Sequence, residues 1–402
     1  MVELVAIIAA LMGLTALSID IMLPALPEIA ETFAAGDPND RQLVITAYLL
    51  GFAAGQLVYG PLSDSYGRRS VLVIGLAIYA VATALVFVSP DYGLFLAARA
   101  LQGVGCAAPR VIAMAVVRDL FTGRQMARVM SFAMMVFIAI PALAPSIGQG
   151  LMVFGTWHWI FVFLLLAAGV LLALSLFRLP ETRPLELREP PSLKFLASAG
   201  RQVVTTRQTV GYTLAIGLMF GAMMTYVSTA QQVFEEVYDL GTMFPLVFGL
   251  IAAALAAASL TNSILVRRFG MRRMSHGAIV GFMATSAVML ALSLTTLPEP
   301  PALWVFVTLH GIAFYFFGFI MPNFNALAME PLGRIAGTGS SFVGFTTTAV
   351  GAALSSVVGR LYDDTVVPLL AGYLALSAAA LVIVLVTERG QLFHPHHEHE
   401  AG

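Results

Sequence analysis

The sequence predicts an all-α membrane protein, with twelve transmembrane helices arranged as two pseudo-symmetric six-helix bundles. Three observations predict it. Of 402 residues, 59% are hydrophobic and only 11% charged, with a mean hydropathy of +0.88; a soluble domain carries about 25% charged residues. Apolar runs of roughly twenty residues, each long enough to cross a bilayer core, recur from end to end. Loop patterns of the first half return in the second.

The runs lie between charged or Pro/Gly-rich breaks at 4–27, 42–62, 70–89, 92–117, 128–151, 157–178, 209–232, 244–266, 275–297, 302–327, 336–359 and 366–387. The first has no basic segment before it and no small-residue cleavage site after it, which predicts a retained helix rather than a signal peptide. The polar stretch "RLPETRPLELREPPSLKFLASAGRQVVTTRQ", 178–208, has prolines, charges and no continuous apolar face. It divides the chain into an N-terminal bundle (1–180), a cytoplasmic linker (181–208), a C-terminal bundle (209–388) and a cytoplasmic tail (389–402).

Charge sorting tests the count of spans. With the N-terminus inside, 17 Lys and Arg fall on the inner side and only Arg41 and Arg360 on the outer, as the positive-inside rule requires. Arg99 and Arg110 belong to no loop. The repeat supports the same division. "SYGRRSVLVIG" follows the second run and "RFGMRRMSHGAIVG" the eighth; "RDLFTGRQMARVMSF" follows the fourth and "MEPLGRIAGTGSSF" the tenth. In the second pair Asp119 aligns with Glu330, and His310 then falls opposite Arg99. Two homologous bundles are the plan of a transporter that rocks about a central site.

Composition also excludes classes. The only lysine is Lys194, so no Gly-Lys-Ser/Thr phosphate loop exists and no nucleotide-driven pump can be built. No Gly-x-Ser-x-Gly, HExxH or paired-carboxylate motif supports an intramembrane enzyme, although His310 with the serines near 340 is the arrangement such an enzyme would need. The single cysteine, Cys106, excludes an intrachain disulfide. A near-neutral formal charge of −1 gives no reason to expect nucleic acid as a partner. No cofactor and no metal are expected, and the tail "HPHHEHE" (394–400) reads as solvated rather than metal-binding.

The motifs narrow the reading. "GPLSDSYGRRSVL", 60–72, resembles the loop between the second and third helices of the major facilitator superfamily, with Gly60, Leu62, Asp64, Gly67, Arg68 and Arg69 matching and Ser65 replacing a common basic residue. Gly60 permits close helix approach, Gly67 a tight turn. Asp64 is suited to cap a helix N-terminus across the inter-bundle interface, and Arg68 to pair with Asp119. "ARALQGVGCAAPRVIAM" resembles the fourth-helix motif through Arg99, Gln102, Gly103 and Gly105. "PALAPSIGQG" resembles the fifth-helix motif of antiporters, with Pro141 in the run, Pro145 and Gly148 matching, and Gln149 replacing a glycine. "SIDIMLPALP" resembles the first-helix motif of twelve-helix drug/proton antiporters. Together these look like the Bcr/CflA group of bacterial multidrug efflux proteins.

That resemblance implies a monomeric transporter in the bacterial inner membrane, both termini cytoplasmic, moving drug-like small molecules against protons. Uptake of a small metabolite by proton symport is the alternative. A mid-membrane charge costs about 2.5–3.5 kcal/mol and is functional by default. Asp20 is therefore the candidate proton carrier, with Arg99 expected beside it. A carboxyl group balanced between desolvation and a neighbouring cation can load a proton on one side and release it on the other; a static packing pair is the plainer reading. Candidate substrate contacts are Asp20, Arg99, Arg110, Tyr48, Gln102, Met223, Tyr226, His310, Phe314 and Asn323. Arg110 suits either an anionic group or snorkelling, His310 either titration or interior packing. Asn323 and Asn325 suit either the cavity or helix-helix ties.

Overall fold

The structure is a computed structural model that describes residues 2–121, 123–188 and 193–393. Among these residues there is no strand, and twelve long helices follow the expected spans: α1 (Val2–Asp20), α2 (Leu43–Tyr66), α3 (Arg68–Val86), α4 (Tyr92–Leu120), α5 (Gly123–Met152), α6 (His158–Phe177), α7 (Arg207–Gln231), α8 (Phe244–Phe269), α9 (Met271–Thr296), α10 (Leu303–Met329), α11 (Ala336–Gly359) and α12 (Val367–Thr387). Eleven stretches of the described residues are long and apolar enough to cross a membrane, each containing one of these helices. The twelfth helix, α5, is 30 residues long and holds the fifth place in the same alternation. Glu3 at the start of α1 lies 3.4 Å from Arg178 just past α6, so six crossings return the chain to the side where it began.

Two six-helix bundles result. In the first, α4 packs against α2, α3 and α1, and α1 against α5; in the second, α10 packs against α8, α9 and α7, and α7 against α11. The bundles meet along two seams, α2 on α11 and α5 on α8. A shift of six helices exchanges these seams, so the sequence repeat is a repeat of packing. It extends to the charges: Arg68 bonds Asp119 at 3.0 Å, and Arg272 lies 3.5 Å from the aligned Glu330.

Close approach in the first bundle comes from small residues on α4. A Cβ on Gly103 would strike the Tyr48 carbonyl of α2 and lie 2.8 Å from the Phe52 nitrogen. Backbone cannot rotate away as a side chain can. Gly103→Ala is therefore expected to lower stability by about 1–3 kcal/mol, the usual cost of overpacking. Gly169→Ala on α6, where a Cβ meets nothing within 4 Å, should leave the melting temperature unchanged. Equal melting of the two variants in detergent would contradict this packing.

The first span departs from expectation. The run 4–27 reads as one helix, but α1 stops at Asp20 and the chain continues as a 3-10 turn (Leu23–Ala25) and a short helix (Leu26–Thr32). Pro24 and Pro27 supply no N–H for the helical bond four residues back, so the ladder cannot run through them. The linker also departs. The stretch 178–208, read as lacking an apolar face, contains the helix Leu193–Thr205, whose Ala199 and Val203 are buried. The face is a narrow one of small residues, and Gly200 lets it lie against the Phe342 ring of α11. Beyond α7 the chain continues as a π-helical segment, Gln232–Val237.

Candidate functional site

Asp20 is the last residue of α1 and is buried at the break. Two features hold the break open as a feature of the backbone. Pro24 prevents continuation, and α5 presses on it from one side: a Cβ on Gly148 would strike the Ile21 carbonyl and sit 3.2 Å from the Pro24 ring. Pro141 and Pro145 lie inside α5, about two turns and one turn before Gly148. The Pro-Gly pattern of "PALAPSIG" thus meets the broken helix that carries the carboxyl group. Broken helices at mid-membrane are where transporters of this plan build their sites.

Arg99 does not pair with Asp20. Its guanidinium is fully buried and donates from Nη2 to the Ser18 carbonyl at 3.2 Å, from Nε to the Val44 carbonyl at 3.4 Å, and from Nη1 to Gln102 Oε1. It also stacks over the Tyr48 ring, 4.7 Å from the centroid. The physical reason is the break. Residues of the last turn of a helix have carbonyls without helical partners, and a guanidinium with five donors satisfies one of them while staying charged. Gln102 donates on to Thr83 Oγ1 at 2.8 Å, and Ser18 Oγ bonds the Tyr79 hydroxyl at 2.7 Å. Arg99, Gln102 and Tyr48 therefore anchor the end of α1 rather than neutralise its carboxyl group. Arg110, three turns further along α4, is half-buried with Cζ 6.0 Å from the Phe52 centroid.

The second bundle presents rings to this point. Tyr226 stands on α7, which crosses to the first bundle and packs on the turn Leu23–Ala25 that follows Asp20. Tyr226 lies 4.5 Å from the His310 ring, 5.0 Å from Phe314 and 5.4 Å from Phe248, stacked at 9° on the last. His310 Nε2 bonds the Tyr373 hydroxyl of α12 at 2.9 Å. The sequence-selected Tyr226, His310 and Phe314 are thus brought together. Met223, one turn before Tyr226, is half-buried. Asn323 is not with them: its amide donates to Asn262 Oδ1 at 2.8 Å and to the Phe319 carbonyl at 2.7 Å, tying α10 to α8. Asn325 is exposed.

The two ends of the seam differ. At the cytoplasmic-loop end, Arg68 is the centre of a cluster, with Nη2 2.7 Å from Asp64, Nε 3.0 Å from Asp119 and Nη1 2.7 Å from Ser63 Oγ. Arg69 donates to the Leu176 carbonyl from its side chain. Asp64 pairs within its own bundle and, among the described residues, caps no helix across the seam. The N-terminus of α3 is capped instead by Glu181, which accepts from the backbone of Arg68 at 2.8 Å and Arg69 at 3.3 Å. Glu181 escaped the sequence reading because its linker has no regular pattern. A cleft of about 190 Å³ is lined by Gly60, Asp64 and Asp119 of the first bundle and by Gly337, Thr338 and Ser341 of α11 in the second, with Gly60 letting α2 lie close against Ser341. Gly67, at φ +96°, makes the turn between α2 and α3.

At the opposite end the bundles are bonded together. Arg41 reaches Glu236 at 2.7 Å and Gln231 at 3.0 Å; Gln42 donates to Gln232 at 2.8 Å and to the Gly359 carbonyl at 3.0 Å. Asn39 donates to the Tyr362 carbonyl at 3.0 Å, and Arg360 lies 3.4 Å from Asp40. The only two arginines that charge sorting leaves outside, Arg41 and Arg360, both belong to this lattice. That was the available signal. Hydrogen bonds and ion pairs thus join the bundles at this end, while the Arg68 end holds the cleft lined by both bundles. The His-rich tail 394–400 lies outside the described residues.

This geometry, two repeated bundles packed along two seams about a break in the first helix, is that of a membrane carrier of the repeated-bundle plan. A sequence profile described as the Major Facilitator Superfamily matches residues 8–356, and the chain belongs to that family. It is a multi-pass membrane transporter, not an enzyme. A Bacillus subtilis protein described as an uncharacterized MFS-type transporter, YdgK, is 33% identical over 90% of both chains. The bicyclomycin resistance protein homolog of Haemophilus influenzae is 31% identical over 91% of this chain and 90% of its own. The multidrug resistance protein MdtL of Klebsiella pneumoniae is 29% identical over 92% and 91%. Among solved structures, the Escherichia coli xylose transporter XylE, in a partially occluded inward-open conformation, has TM-score 0.72 at 14% identity over 96% of this chain and 97% of that one. That likeness is one of fold.

Proposed function

We propose that this protein exports drugs or other small, largely apolar compounds in exchange for protons, by alternating access, with Asp20 as the proton carrier. The observation that carries this reading is Asp20 itself, a buried carboxyl group that Arg99 does not pair, placed at a helix break against which α7 of the second bundle packs. A group so placed is accessible from whichever side the seam opens. The relatives named for resistance and the "PALAPSIG" packing on α1 support the export direction. On this reading the protein is a monomer in the bacterial inner membrane with both termini in the cytoplasm. One proton entering down 100 mV yields about 2.3 kcal/mol and one pH unit about 1.4, together sufficient for roughly 500-fold accumulation.

Inside-out vesicles test it. Substrate is expected to accumulate when the lumen is acidified and to leak out when an uncoupler is added. Accumulation that ignores the uncoupler, or that requires an alkaline lumen, would overturn the reading.

A further inference from the structure

The ring cluster of the second bundle contains two polar atoms that its packing does not explain. The Tyr226 hydroxyl and His310 Nδ1 are buried without a hydrogen-bond partner among the described residues. Buried ring groups elsewhere in the two bundles, and Tyr373 within the cluster, behave differently. Tyr79 bonds Ser18, Tyr212 bonds Glu388 at 2.5 Å, and Tyr373 bonds the other nitrogen of His310. A buried hydroxyl or imidazole nitrogen left unpaired is costly, and such groups are normally satisfied. The pair is also well placed. Because Tyr373 holds Nε2, the ring orientation of His310 is fixed and Nδ1 is directed elsewhere; Tyr226 lies 4.5 Å from the His310 ring, on the helix that packs against the turn Leu23–Ala25 just after Asp20. Phe248 and Phe314 flank the tyrosine ring at 5.4 and 5.0 Å.

We propose that Tyr226 and His310 form the polar anchor of a substrate subsite in the second bundle, selective for uncharged ring compounds that carry hydroxyl or amide groups. This rests on the export reading for the side from which the compound is loaded. Ring faces supply stacking surface, and the two orphaned atoms supply a donor and an acceptor. Tyr226 can give or take a proton in a hydrogen bond, and Nδ1 does whichever the Tyr373 contact leaves to it. Charge argues for an uncharged ligand. Apart from Glu3 in the first turn of α1 and Arg118 and Asp119 in the last turn of α4, these two helices carry one carboxyl group, Asp20 at the break, and two guanidinium groups, Arg99 and Arg110. That excess of positive charge opposes a permanent cation. A permanent anion would face Asp20 and would be stripped of water among rings.

The subsite is tested by calorimetric binding to the purified full-length protein in detergent, with no gradient, using two probes. Chloramphenicol is uncharged and has a ring, two hydroxyls and an amide; tetraphenylphosphonium has rings and a fixed charge but no hydrogen-bonding group. Tyr226→Phe removes one oxygen and keeps the ring. It is expected to raise the Kd of chloramphenicol by about 3- to 10-fold, the range of one neutral hydrogen bond, and to leave tetraphenylphosphonium within twofold. His310→Gln keeps a group for Tyr373 while removing Nδ1 and should do the same, whereas His310→Asn, which restores a polar atom near Nδ1, should recover part of the loss. If both probes weaken equally, or neither does, or the parent protein prefers tetraphenylphosphonium, the subsite is wrong. Because binding is read without a proton gradient, failure of export in vesicles would leave this result standing, and failure here would leave the export reading standing.

Discussion

Asp20→Asn is expected to abolish uphill export while leaving substrate binding within a few-fold of the parent. Asparagine matches the shape of the protonated acid and cannot release a proton, so accumulation should fall from as much as roughly 500-fold to none, with downhill exchange preserved. The pH dependence has a definite sign. A cationic probe competes with the proton for the carboxylate, so its affinity for the parent should weaken as pH falls; a neutral probe should show a shallower dependence. Both should be flat in the variant. A dependence that survives Asp20→Asn would move the proton to another group, with His310 first in line. A merely structural Asp20 predicts a different outcome: lost expression or melting temperature, and an unaltered pH profile in the molecules that fold. The Arg99 contacts bear on this. With the guanidinium bonded to the Ser18 and Val44 carbonyls, removal of the Asp20 charge leaves no buried ion-pair partner behind, so the variant should fold.

Asp64→Asn is expected to slow the transport cycle at least tenfold, which corresponds to about 1.4 kcal/mol on the limiting step, with substrate affinity nearly intact. Asp64 stands 2.7 Å from Arg68 and lines the cleft opposite the first turn of α11. On the proposed alternating-access reading, closing the cleft would bring the same carboxylate to the N-terminus of α11, where an anion is favoured. Asparagine keeps the size and loses that attraction, so the closed-inside state is weakened. Single-turnover exchange and equilibrium binding on the same preparation separate the two quantities. Lost binding with surviving exchange would put Asp64 in the substrate site.

Much of the fold was legible because each span is an apolar run that must cross a bilayer, and because Arg and Lys sort by side. Loop motifs announced the Arg68 cluster for a similar reason: an Asp, a Gly turn and an Arg pair in one short loop have few other ways to satisfy one another. What sequence could not give was direction in space. Asp20 and Arg99 are expected together because both are charged and buried in one bundle, yet the arginine turns to the Ser18 carbonyl beside the helix break and to the Val44 carbonyl of α2. That break was written in Pro24 and Pro27, but a hydropathy run does not register the loss of N–H donors. Asn323 carried no signal to separate a cavity residue from a tie to α8. Glu181 and Gln232 lie in a linker and a π segment, where no period marks a face.

The lattice at the outer end has a consequence for how the carrier waits. Each of its hydrogen bonds contributes only about 0.5–1.5 kcal/mol net, because water takes its place when the seam parts. If the carrier works by alternating access as proposed, several together would bias idle molecules toward the posture closed at this end, without making the reverse posture inaccessible. The apparent affinity of any carrier is its intrinsic affinity diluted by the fraction of molecules poised to receive cargo. An idle population biased in this way meets compounds on the cytoplasmic side at nearly full strength and meets expelled compounds on the far side at a discount. Arg41 and Arg360, far from the carboxyl group that is proposed to move the proton, would then determine how seldom an exported molecule is taken back.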